Sequence, residues 1–311
     1  MNSLANKRCI VLGAGGFIGT NLCRSLIGKV DTLRAFGRRQ SFPEVLVDKS
    51  IEWIPGDFSE PSTVSAAISG CDIVFHLVTS TTPASSNVNK INDIQSNVIA
   101  TLNLLDACKE EGVERVVFVS SGGTVYGIPE CIPTPENALL NPISAYGVSK
   151  LTIEKYLALY EHLYGLEYRV LRVSNPYGKY QTALRNQGVI AAFLRKALER
   201  KPIDIWGDGS IIRDYIYVDD VIRAFESVAV HDGKQRVFNI GSGEGKSINT
   251  IINAINDLTG NELDIRYSEG RSVDVPHSVL DISLARSDLA WMPQTDFLEG
   301  LQRTMDWLKT N

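Results

Sequence analysis

Short apolar runs alternate with amphipathic segments along the first half of the chain. The runs are rich in Val, Ile and Phe and have the length of buried strands. Strands are therefore predicted at 9–13, 32–36, 51–54, 72–78, 115–120 and 168–173. Apolar residues at helical spacing predict helices at about 17–28, 61–69, 92–111 and 144–164. Because strands that are apolar throughout are covered on both faces, the alternation predicts an α/β fold with a doubly wound parallel sheet.

The second half of the chain is less regular. It predicts a helix at 189–199, strands at 203–206 and 236–243, a helix with Asp219 as N-cap, and a helix at 247–258 capped by Ser247. No internal repeat, low-complexity tract or flexible linker is present, which indicates two interleaved domains. The expected division is a sheet domain of 1–173, to which 214–240 return, and a smaller domain of 174–213 and 241–311.

Charge and composition exclude several classes of function. The chain of 311 residues carries a net charge of −5 with no basic block, so neither nucleic acid nor an anionic membrane is expected as a partner. It begins without the apolar region of a signal peptide, and no stretch approaches the roughly 18 apolar residues of a membrane span. We therefore expect a cytoplasmic protein.

The cysteines and histidines point to neither disulfides nor a metal site. The five Cys are scattered without a C-x-x-C pair, and none of the four His is spaced with Cys or carboxylates as metal ligands are. Four Cys lie in or beside apolar patterns, as buried thiols of a reducing compartment do: Cys9, Cys23, Cys71 and Cys108. No metal is expected.

A glycine loop follows the first predicted strand. In "VLGAGGFIGTNL" (11–22), Gly13, Gly16 and Gly19 are spaced G-x-x-G-x-x-G and lead into a helix. A dinucleotide pyrophosphate needs backbone N–H groups and a helix N-terminus free of Cβ atoms, which this loop supplies. The alternative is a tight strand-to-helix turn without a ligand.

Tyr146 and Lys150 lie four residues apart in "SAYGVSK" (144–150), at the start of a predicted helix. Residues i and i+4 share a helix face, so the phenol and the ammonium can act together. A free Tyr has a pKa of about 10, so work as a base near pH 7 needs roughly 4 kcal/mol of preferential phenolate stabilisation, which a neighbouring Lys can help to supply. The alternative is a surface pair without function.

The order of these motifs resembles the extended short-chain dehydrogenase/reductase family, of the NAD-dependent epimerase/dehydratase type, with UDP-hexose 4-epimerases as the most similar members. The resemblance spans almost the whole chain. Its further segments are "PGDF" (55–58), "FHLV" (75–78), "SSGGTVYG" (120–127) and "SNPYG" (174–178). It implies a Rossmann-type fold in which the sheet domain binds the dinucleotide and the smaller domain binds a nucleotide sugar.

The resemblance implies NAD as the cofactor. The positions it assigns to NAD are Gly13, Gly16, Phe17, Ile18, Gly19, Arg38, Asp57, Phe58, Leu77, Val78, Asn97, Tyr146 and Lys150. In NAD-binding relatives the second strand usually ends in an acid that binds the adenosine ribose. Here Gly37 stands at that place, followed by Arg38 and Arg39, and two guanidinium groups suit the 2′-phosphate of NADP. The alternative is that both arginines are solvated and NAD binds without the acid.

The resemblance assigns Tyr146 as the acid/base and Lys150 as its modulator. The family's Ser or Thr partner, four residues before the Tyr of "VYG", is replaced by Gly122. Thr124 is the first candidate to take over its role, followed by Ser121 and the hydroxyls of 79–82. The alternative is that these hydroxyls only cap a strand end. Gly123 and Thr124 also replace the Asp-Glu pair of 4,6-dehydratases, which argues against dehydration.

For the nucleotide sugar, the resemblance implies contacts from Thr79, Ser80, Thr124, Asn175, Val189, Arg213, Arg271, Asp274 and Ser278. The resemblance implies that Asn175 contacts the diphosphate and that the two arginines clamp the diphosphate and ribose. Arg suits this role because it provides fixed bidentate donors. For Arg213 the alternative is a charge pair with Asp214. The small Ser278 would leave room for an N-acetyl group at C2, and the alternative is that it only begins a strand.

The function expected from the resemblance is a UDP-hexose 4-epimerase, acting on glucose and galactose forms or their N-acetyl derivatives through a transient 4-keto sugar. An NADPH-dependent 4-ketoreductase and a non-catalytic cofactor-binding regulator are the alternatives. A homodimer through the helices at about 92–111 and 144–164 is expected, and polysaccharide biosynthesis is the implied context.

Overall fold

The computed structural model describes residues 3–40, 43–46, 48–181, 188–260, 263–270 and 275–310. The strands are β1 (Arg8–Leu12), β2 (Thr32–Gly37), β3 (Ile51–Pro55), β4 (Ile73–His76), β5 (Arg115–Ser121), β6 (Glu167–Val173), β7 (Asn175–Tyr177), β8 (Ile203–Trp206), β9 (Ile212–Tyr217), β10 (Val237–Ile240), β11 (Gly245–Ser247), β12 (Ile265–Ser268) and β13 (His277–Ser278).

The α-helices are α1 (Phe17–Leu26), α2 (Pro61–Ile68), α3 (Pro83–Ser86), α4 (Lys90–Asp93), α5 (Ala100–Glu110), α6 (Ala145–Tyr164), α7 (Val189–Leu198), α8 (Val218–Ala229), α9 (Ile248–Thr259), α10 (Ser283–Leu289) and α11 (Phe297–Thr310). A π-helical segment, Ile94–Ile99, joins α4 to α5.

The main sheet has seven strands in the order β3-β2-β1-β4-β5-β6-β10. The interior strand β1 pairs in parallel with both β2 and β4, and its residues Cys9 to Leu12 are fully buried. The predicted α/β class with a doubly wound parallel sheet is therefore confirmed. Chain order reverses between β1 and β4, and ligands of open α/β sheets bind beyond the carboxyl ends of the strands at such a switch point.

The predicted elements of the first half are present to within a few residues, with one correction. The helix expected at 92–111 is not continuous, because the π-helical segment separates α4 from α5. Such segments insert an extra residue per turn and frequently mark functional sites.

In the second half, the helix expected at 189–199 and the Ser247 cap are confirmed, since the Ser247 hydroxyl accepts a hydrogen bond from the Thr250 N–H. The Asp219 cap is wrong: α8 begins at Val218, so Asp219 lies inside its first turn. There its carboxylate still faces the positive end of the helix dipole.

The chain divides into two compact units. Unit 1 consists of Met1–Gly127, Leu140–Arg172 and Ile222–Phe238, and unit 2 of Ile128–Leu139, Val173–Val221 and Asn239–Asn311. The core of unit 1 packs apolar side chains of β1, β4 and β5 against α2, α5 and α6. Unit 2 has a smaller cluster around Ile203, Ile205 and Ile252. The binding roles expected for the two domains stay predictions.

Two predictions from the sequence concern the cysteines and the presence of membrane-spanning helices. Cys9, Cys23, Cys71 and Cys108 are buried free thiols, as predicted, and Cys131 is an exposed free thiol. No helix in the described ranges combines the length and the apolar character that crossing a membrane requires.

Candidate active site

The glycine loop follows β1 at the switch point of the sheet in unit 1. Gly13 has φ +87°, which favours glycine, and its N–H donates to the Phe36 carbonyl at 3.0 Å. A Cβ at Gly19 would lie 2.3 Å from the Gly13 carbonyl oxygen, and one at Gly16 would lie 3.1 Å from the same atom. Backbone packing within the loop therefore leaves no room for a side chain at Gly19 and little at Gly16, while the positive φ favours glycine at position 13.

The loop leads into the N-terminus of α1. Gly16 is the N-cap and offers no side-chain hydrogen bond to the first-turn N–H groups, while Phe17 and Ile18 begin the helix half-buried. N–H groups left open at a helix N-terminus, beside a loop without Cβ atoms, suit a pyrophosphate. The described residues therefore fit a dinucleotide at this place.

The exit of β4 lies directly against this loop. The Leu77 N–H donates to the Leu12 carbonyl at 3.0 Å, and a Cβ at Gly13 would lie 3.2 Å from the Val78 nitrogen. Leu77 and Val78 are half-buried there. The structure thus brings these two predicted residues beside the glycine loop.

β2 ends in Gly37 and not in the acidic residue that is usual at this place, and the structure shows which side chain lies next to Gly37. A Cβ at Gly37 would lie only 2.7 Å from Cη2 of Trp53 on β3, and the Trp53 indole N–H donates to the Arg39 carbonyl at 3.1 Å. Arg38 and Arg39 themselves are exposed. The indole therefore takes the space that an acidic side chain at Gly37 would need. The sequence feature that could have indicated this arrangement is the large Trp53 in the middle of β3.

Asp57 and Phe58 follow β3 in the same unit. One Asp57 carboxylate oxygen accepts hydrogen bonds from the N–H and hydroxyl of Ser59, at 2.9 and 2.7 Å. These two bonds lower the pKa of Asp57, and the charge of Arg38 lowers it further. Phe58 is buried with its ring 5.0 Å from that of His76.

Tyr146 and Lys150 lie one turn apart at the N-terminus of α6. The helix is capped by the Ser144 hydroxyl, which accepts from the Gly147 N–H, and the Tyr146 N–H donates to the Ser86 hydroxyl at 3.0 Å. The Lys150 ammonium lies 5.6 Å from the centroid of the Tyr146 ring and donates to the Val119 carbonyl at 2.9 Å. The sequence-predicted pair is thus brought together.

Burial dominates the ionisation of both groups. Lys150 is only 4% exposed, and loss of hydration lowers its pKa to about 8, although the carboxylates of Asp93 and Glu154 act in the opposite direction. Loss of hydration raises the pKa of the half-buried Tyr146 to about 12, and Asp93 adds to the rise. This shift is opposite to the one that a general base near neutral pH requires.

The backbone of Thr124, one of the candidate hydroxyl residues, packs against the start of α6. A Cβ on Gly147, the residue after Tyr146, would be 2.8 Å from the Thr124 carbonyl oxygen. The Thr124 hydroxyl makes only a long contact of 3.5 Å, to the Ser121 carbonyl. The neighbouring Ser120 hydroxyl is buried and donates to Glu154.

The hydroxyl cluster after β4 and Asn97 form a second network. The Asn97 amide oxygen accepts from the Ser80 N–H at 3.1 Å, and its amide nitrogen donates to the hydroxyl of Thr81 and the carboxylate of Asp93. The Thr79 hydroxyl donates to the Thr81 carbonyl at 3.3 Å. Asn97 therefore holds the loop that follows β4, and the buried Asp93 is a residue that sequence reasoning missed.

Unit 2 contains the other predicted substrate residues. The Asn175 amide donates to the Asp214 carbonyl at 2.9 Å, and Ser278 on β13 pairs in parallel register with Arg213 on β9. Ser278 is buried, and it lies in the short strand β13. Val189 begins α7 half-buried. Arg271 and Asp274 lie outside the described residues.

Asp214, the residue after Arg213, is buried and accepts several hydrogen bonds of its own. Its carboxylate accepts from the N–H groups of Ser242, Gly243 and Leu280 and from the Ser174 hydroxyl, which ties three segments of unit 2 together. Burial nevertheless raises its pKa. Throughout the described ranges, no group of three or more His, Cys, Asp or Glu side chains is arranged to hold a metal ion.

A glycine cradle at the switch point of a doubly wound sheet is typical of dinucleotide-dependent enzymes, and the Tyr-x-x-x-Lys pair on α6 narrows the class to short-chain dehydrogenases/reductases. Comparison with known proteins specifies it further. The chain belongs to the NAD dependent epimerase/dehydratase family, whose model matches residues 9–241. The description of the family names NAD as its cofactor.

Three similar proteins illustrate the range of reactions among relatives. A crystal structure of UDP-glucose 4-epimerase from Thermotoga maritima with UDP-glucose shares 33% identity and a TM-score of 0.92 over 97% of this chain and 99% of that one. A UDP-N-acetylglucosamine 4-epimerase from Methanobrevibacter ruminantium, in complex with UDP-N-acetylmuramic acid, shares 29% identity and a TM-score of 0.91 over 98% and 99%. A dTDP-4-dehydro-6-deoxyglucose reductase of Escherichia coli is 32% identical over 94% of this chain and 95% of its own.

Proposed function

We propose that this enzyme is a nucleotide-sugar 4-epimerase that acts on UDP-hexoses with NAD as a retained cofactor. The observation that carries the proposal is the placement of Tyr146 and Lys150 on one face of α6, with the Thr124 segment packed against the start of that helix. Support also comes from similarity over nearly the whole chain to UDP-glucose and UDP-N-acetylglucosamine 4-epimerases.

In the proposed cycle, Tyr146 accepts the proton of the sugar 4-hydroxyl, and Thr124, with Ser121 as a second hydroxyl, bridges the phenol and the sugar. NAD held at the glycine loop would supply a hydride acceptor and donor for C4 of the sugar, so that a transient 4-keto sugar could be reduced on its opposite face. The proton then goes back from Tyr146 to the 4-oxygen, so the cycle is redox-neutral. Lys150, held by the Val119 carbonyl, keeps a positive charge near the phenol.

The proposed cofactor residues are those gathered around the glycine loop. Gly13, Gly16 and Gly19 supply the cradle, and the first turn of α1 supplies open N–H groups for the pyrophosphate. Asp57 and Phe58 border the adenine, and Leu77 and Val78 line the cofactor next to the loop.

We propose unit 2 as the site of the nucleotide sugar, with Asn175 and Arg213 toward the diphosphate and Val189 toward the base. Arg271 and Asp274 complete this prediction from the sequence alone. Acceptance of N-acetylated sugars, proposed from the small Ser278, is supported by the likeness to a UDP-N-acetylglucosamine 4-epimerase.

The proposal includes a homodimer and a cytoplasmic location. The π-helical segment packs against the long helix α6, and apolar side chains of both elements are exposed. Four buried free thiols suit a reducing compartment. Production of sugar nucleotides for polysaccharide biosynthesis is the proposed context.

The test is the conversion of UDP-glucose and UDP-galactose, and of their N-acetyl forms, followed by NMR of the sugar at C4. We expect interconversion without net formation of NADH, and Tyr146→Phe should lower the rate by about 10²-fold or more because the acid/base is lost. A fold check by circular dichroism accompanies the variant. Stoichiometric consumption of NADPH with a 4-keto sugar, or no conversion in a panel of UDP-, GDP- and dTDP-sugars, would contradict the proposal.

A further inference from the structure

A buried carboxylate lies behind the Tyr146–Lys150 pair. Asp93, the last residue of α4, is 1% exposed, and it accepts hydrogen bonds from the hydroxyls of Thr81 and Ser149. The Asn97 amide donates both to its carboxylate, at 3.1 Å, and to its backbone carbonyl, at 3.0 Å. Asp93 therefore joins the loop after β4, the π-helical segment and α6 at one point.

The bond to Ser149 connects this carboxylate to the catalytic helix face. Ser149 is three residues after Tyr146 and directly before Lys150, so on α6 it lies on the side of the phenol. Asp93 and its backbone carbonyl accept four hydrogen bonds from three segments. This is more than a capping role at a four-residue helix requires. An ionised carboxylate accepts such bonds well, and burial without them would be costly.

The charge of Asp93 acts on both members of the pair. It raises the pKa of Lys150 against the effect of burial and adds to the raised pKa of Tyr146. The other titratable groups here are Glu154 on α6, whose carboxylate is paired with Arg172 of β6, and His76 of β4. Burial lowers the pKa of His76 to about 3, so that imidazole is neutral at working pH.

We propose that Asp93, tied to α6 through Ser149, is a positioning residue whose buried negative charge sets the pH range in which Tyr146 and Lys150 act. The inference rests on the proposed 4-epimerase cycle. A negative charge favours the protonated form of each neighbour, so it keeps Lys150 an ammonium and holds Tyr146 as a phenol. Glu154 also favours the ammonium of Lys150, but it is ion-paired with Arg172, and Asp93 is the carboxylate that acts on both Lys150 and Tyr146.

Asp93→Asn tests this inference, because it keeps the size of the side chain and removes the charge. Both limbs of the pH profile of kcat should move to lower pH by about one unit, the shift typical of a buried neighbouring charge. The limbs report apparent pKa values of the coupled pair, and both fall when a negative charge is removed. A purely structural role would lower kcat at every pH and leave the limbs in place, which would overturn the proposal.

Ser149→Ala is the matched control. It removes one hydrogen bond to Asp93 and leaves the carboxylate charged, so the limbs should stay where they are in the parent enzyme. Equal shifts in Ser149→Ala and Asp93→Asn would show that packing, and not charge, sets the pH range. If Asp93→Asn does not fold, Asp93→Ser removes the same charge and retains a small hydrogen-bonding group.

A second measurement does not depend on turnover. In protein labelled with ¹³C-lysine, the Lys150 side-chain resonance, assigned by its loss in Lys150→Arg, should titrate at lower pH in Asp93→Asn than in the parent. An unchanged midpoint would overturn the inference about Asp93. Absence of epimerisation in the parent enzyme would instead overturn the proposed function, and the titration would still decide the role of Asp93.

Discussion

At the scale of single residues, Tyr146 shows why residue type and spacing do not set ionisation. The sequence predicts a pair in which Lys150 helps to stabilise a phenolate, and the two side chains do lie together. Their pKa values nevertheless move in the directions that burial dictates, to about 12 for Tyr146 and about 8 for Lys150. Loss of hydration disfavours the charged form of each group, and the phenolate therefore needs further positive charge.

Gly37 and Trp53 make the same point for the cofactor. An acid at position 37 would collide with the indole, since its Cβ would lie 2.7 Å from Cη2 of Trp53. The missing acid is therefore part of a packing arrangement in which Trp53 fixes the Arg39 carbonyl. Arg38, exposed and near Asp57, does not by itself indicate a 2′-phosphate site.

Arg38→Glu separates the two interpretations of this segment. Because NAD carries no 2′-phosphate, its Kd should change by less than about twofold. NADP binding should weaken several-fold if Arg38 contacts the 2′-phosphate, and it should change as little as NAD binding if Arg38 is solvated. Isothermal titration calorimetry with both cofactors measures the difference. Arg39→Glu is the control at the neighbouring position, and an equal loss of NAD and NADP binding in Arg38→Glu would contradict this expectation.

At the scale of elements, the glycine loop and α1 form one unit of close packing. Gly19, already inside the helix, approaches the loop so closely that any side chain would meet the Gly13 carbonyl and the Ala14 backbone. Backbone atoms cannot rotate away as a flexible side chain can, so α1 would have to move. The position of the helix N-terminus beside the proposed pyrophosphate site depends on this contact.

Gly19→Ala should therefore lower the free energy of unfolding by about 1–3 kcal/mol, the usual cost of overpacking, and weaken NAD binding. Chemical denaturation and calorimetry measure the two effects. Gly15→Ala in the same loop is the matched control, because its Cβ would lie 3.9 Å from the nearest atom, Trp53, in ordinary contact. Similar losses of stability in both variants would show that close approach at Gly19 is not the cause.

The π-helical segment is the second informative element. It places Asn97 where its amide can reach both Asp93 and the Ser80 N–H, which positions the loop after β4. The periodicity of apolar residues predicts one continuous helix at 92–111, because a single wide turn changes the phase of only a few apolar residues. The interruption follows from the buried polar contacts.

At the scale of the whole molecule, apolar side chains remain exposed on two helical elements that pack on each other. On α6, Val148, Leu159 and Leu163 are 48%, 43% and 55% exposed and lie on one face, and Ile94 and Ile99 of the π-helical segment are 47% and 46% exposed. Large apolar side chains exposed on neighbouring elements are typical of an interaction site. A second copy of this chain is the occupant that we propose.

Light scattering should accordingly give the mass of a dimer at micromolar concentration. Leu159→Glu places a charge in the proposed interface and should shift the protein toward monomer, since burying an unpaired charge is costly. Leu298→Glu is the matched control, because Leu298 is 59% exposed on α11, which is neither of the two elements that carry this apolar face. A monomeric parent, or equal effects of the two variants, would contradict the proposed dimer.

The sequence by itself determined the fold class and predicted the main residues of the candidate site. Near-continuous apolar strands alternating with helices predict a covered parallel sheet, and the G-x-x-G-x-x-G spacing after the first strand predicts a loop that a dinucleotide can approach. Tyr146 and Lys150 could be paired from spacing alone, because four residues make one helical turn. These properties are local, so they can be inferred without knowing what lies opposite.

Only the tertiary structure decided which groups surround those residues. Asp93, Ser149 and Thr81 come from separate segments and meet only in the folded chain, and Trp53 faces Gly37 because β2 and β3 are neighbours in the sheet. Hydration, charge proximity and steric exclusion depend on distances across the fold and not along the chain. For that physical reason the protonation of Tyr146 and Lys150, and the absence of an acid at Gly37, could be explained from the structure but not from the sequence.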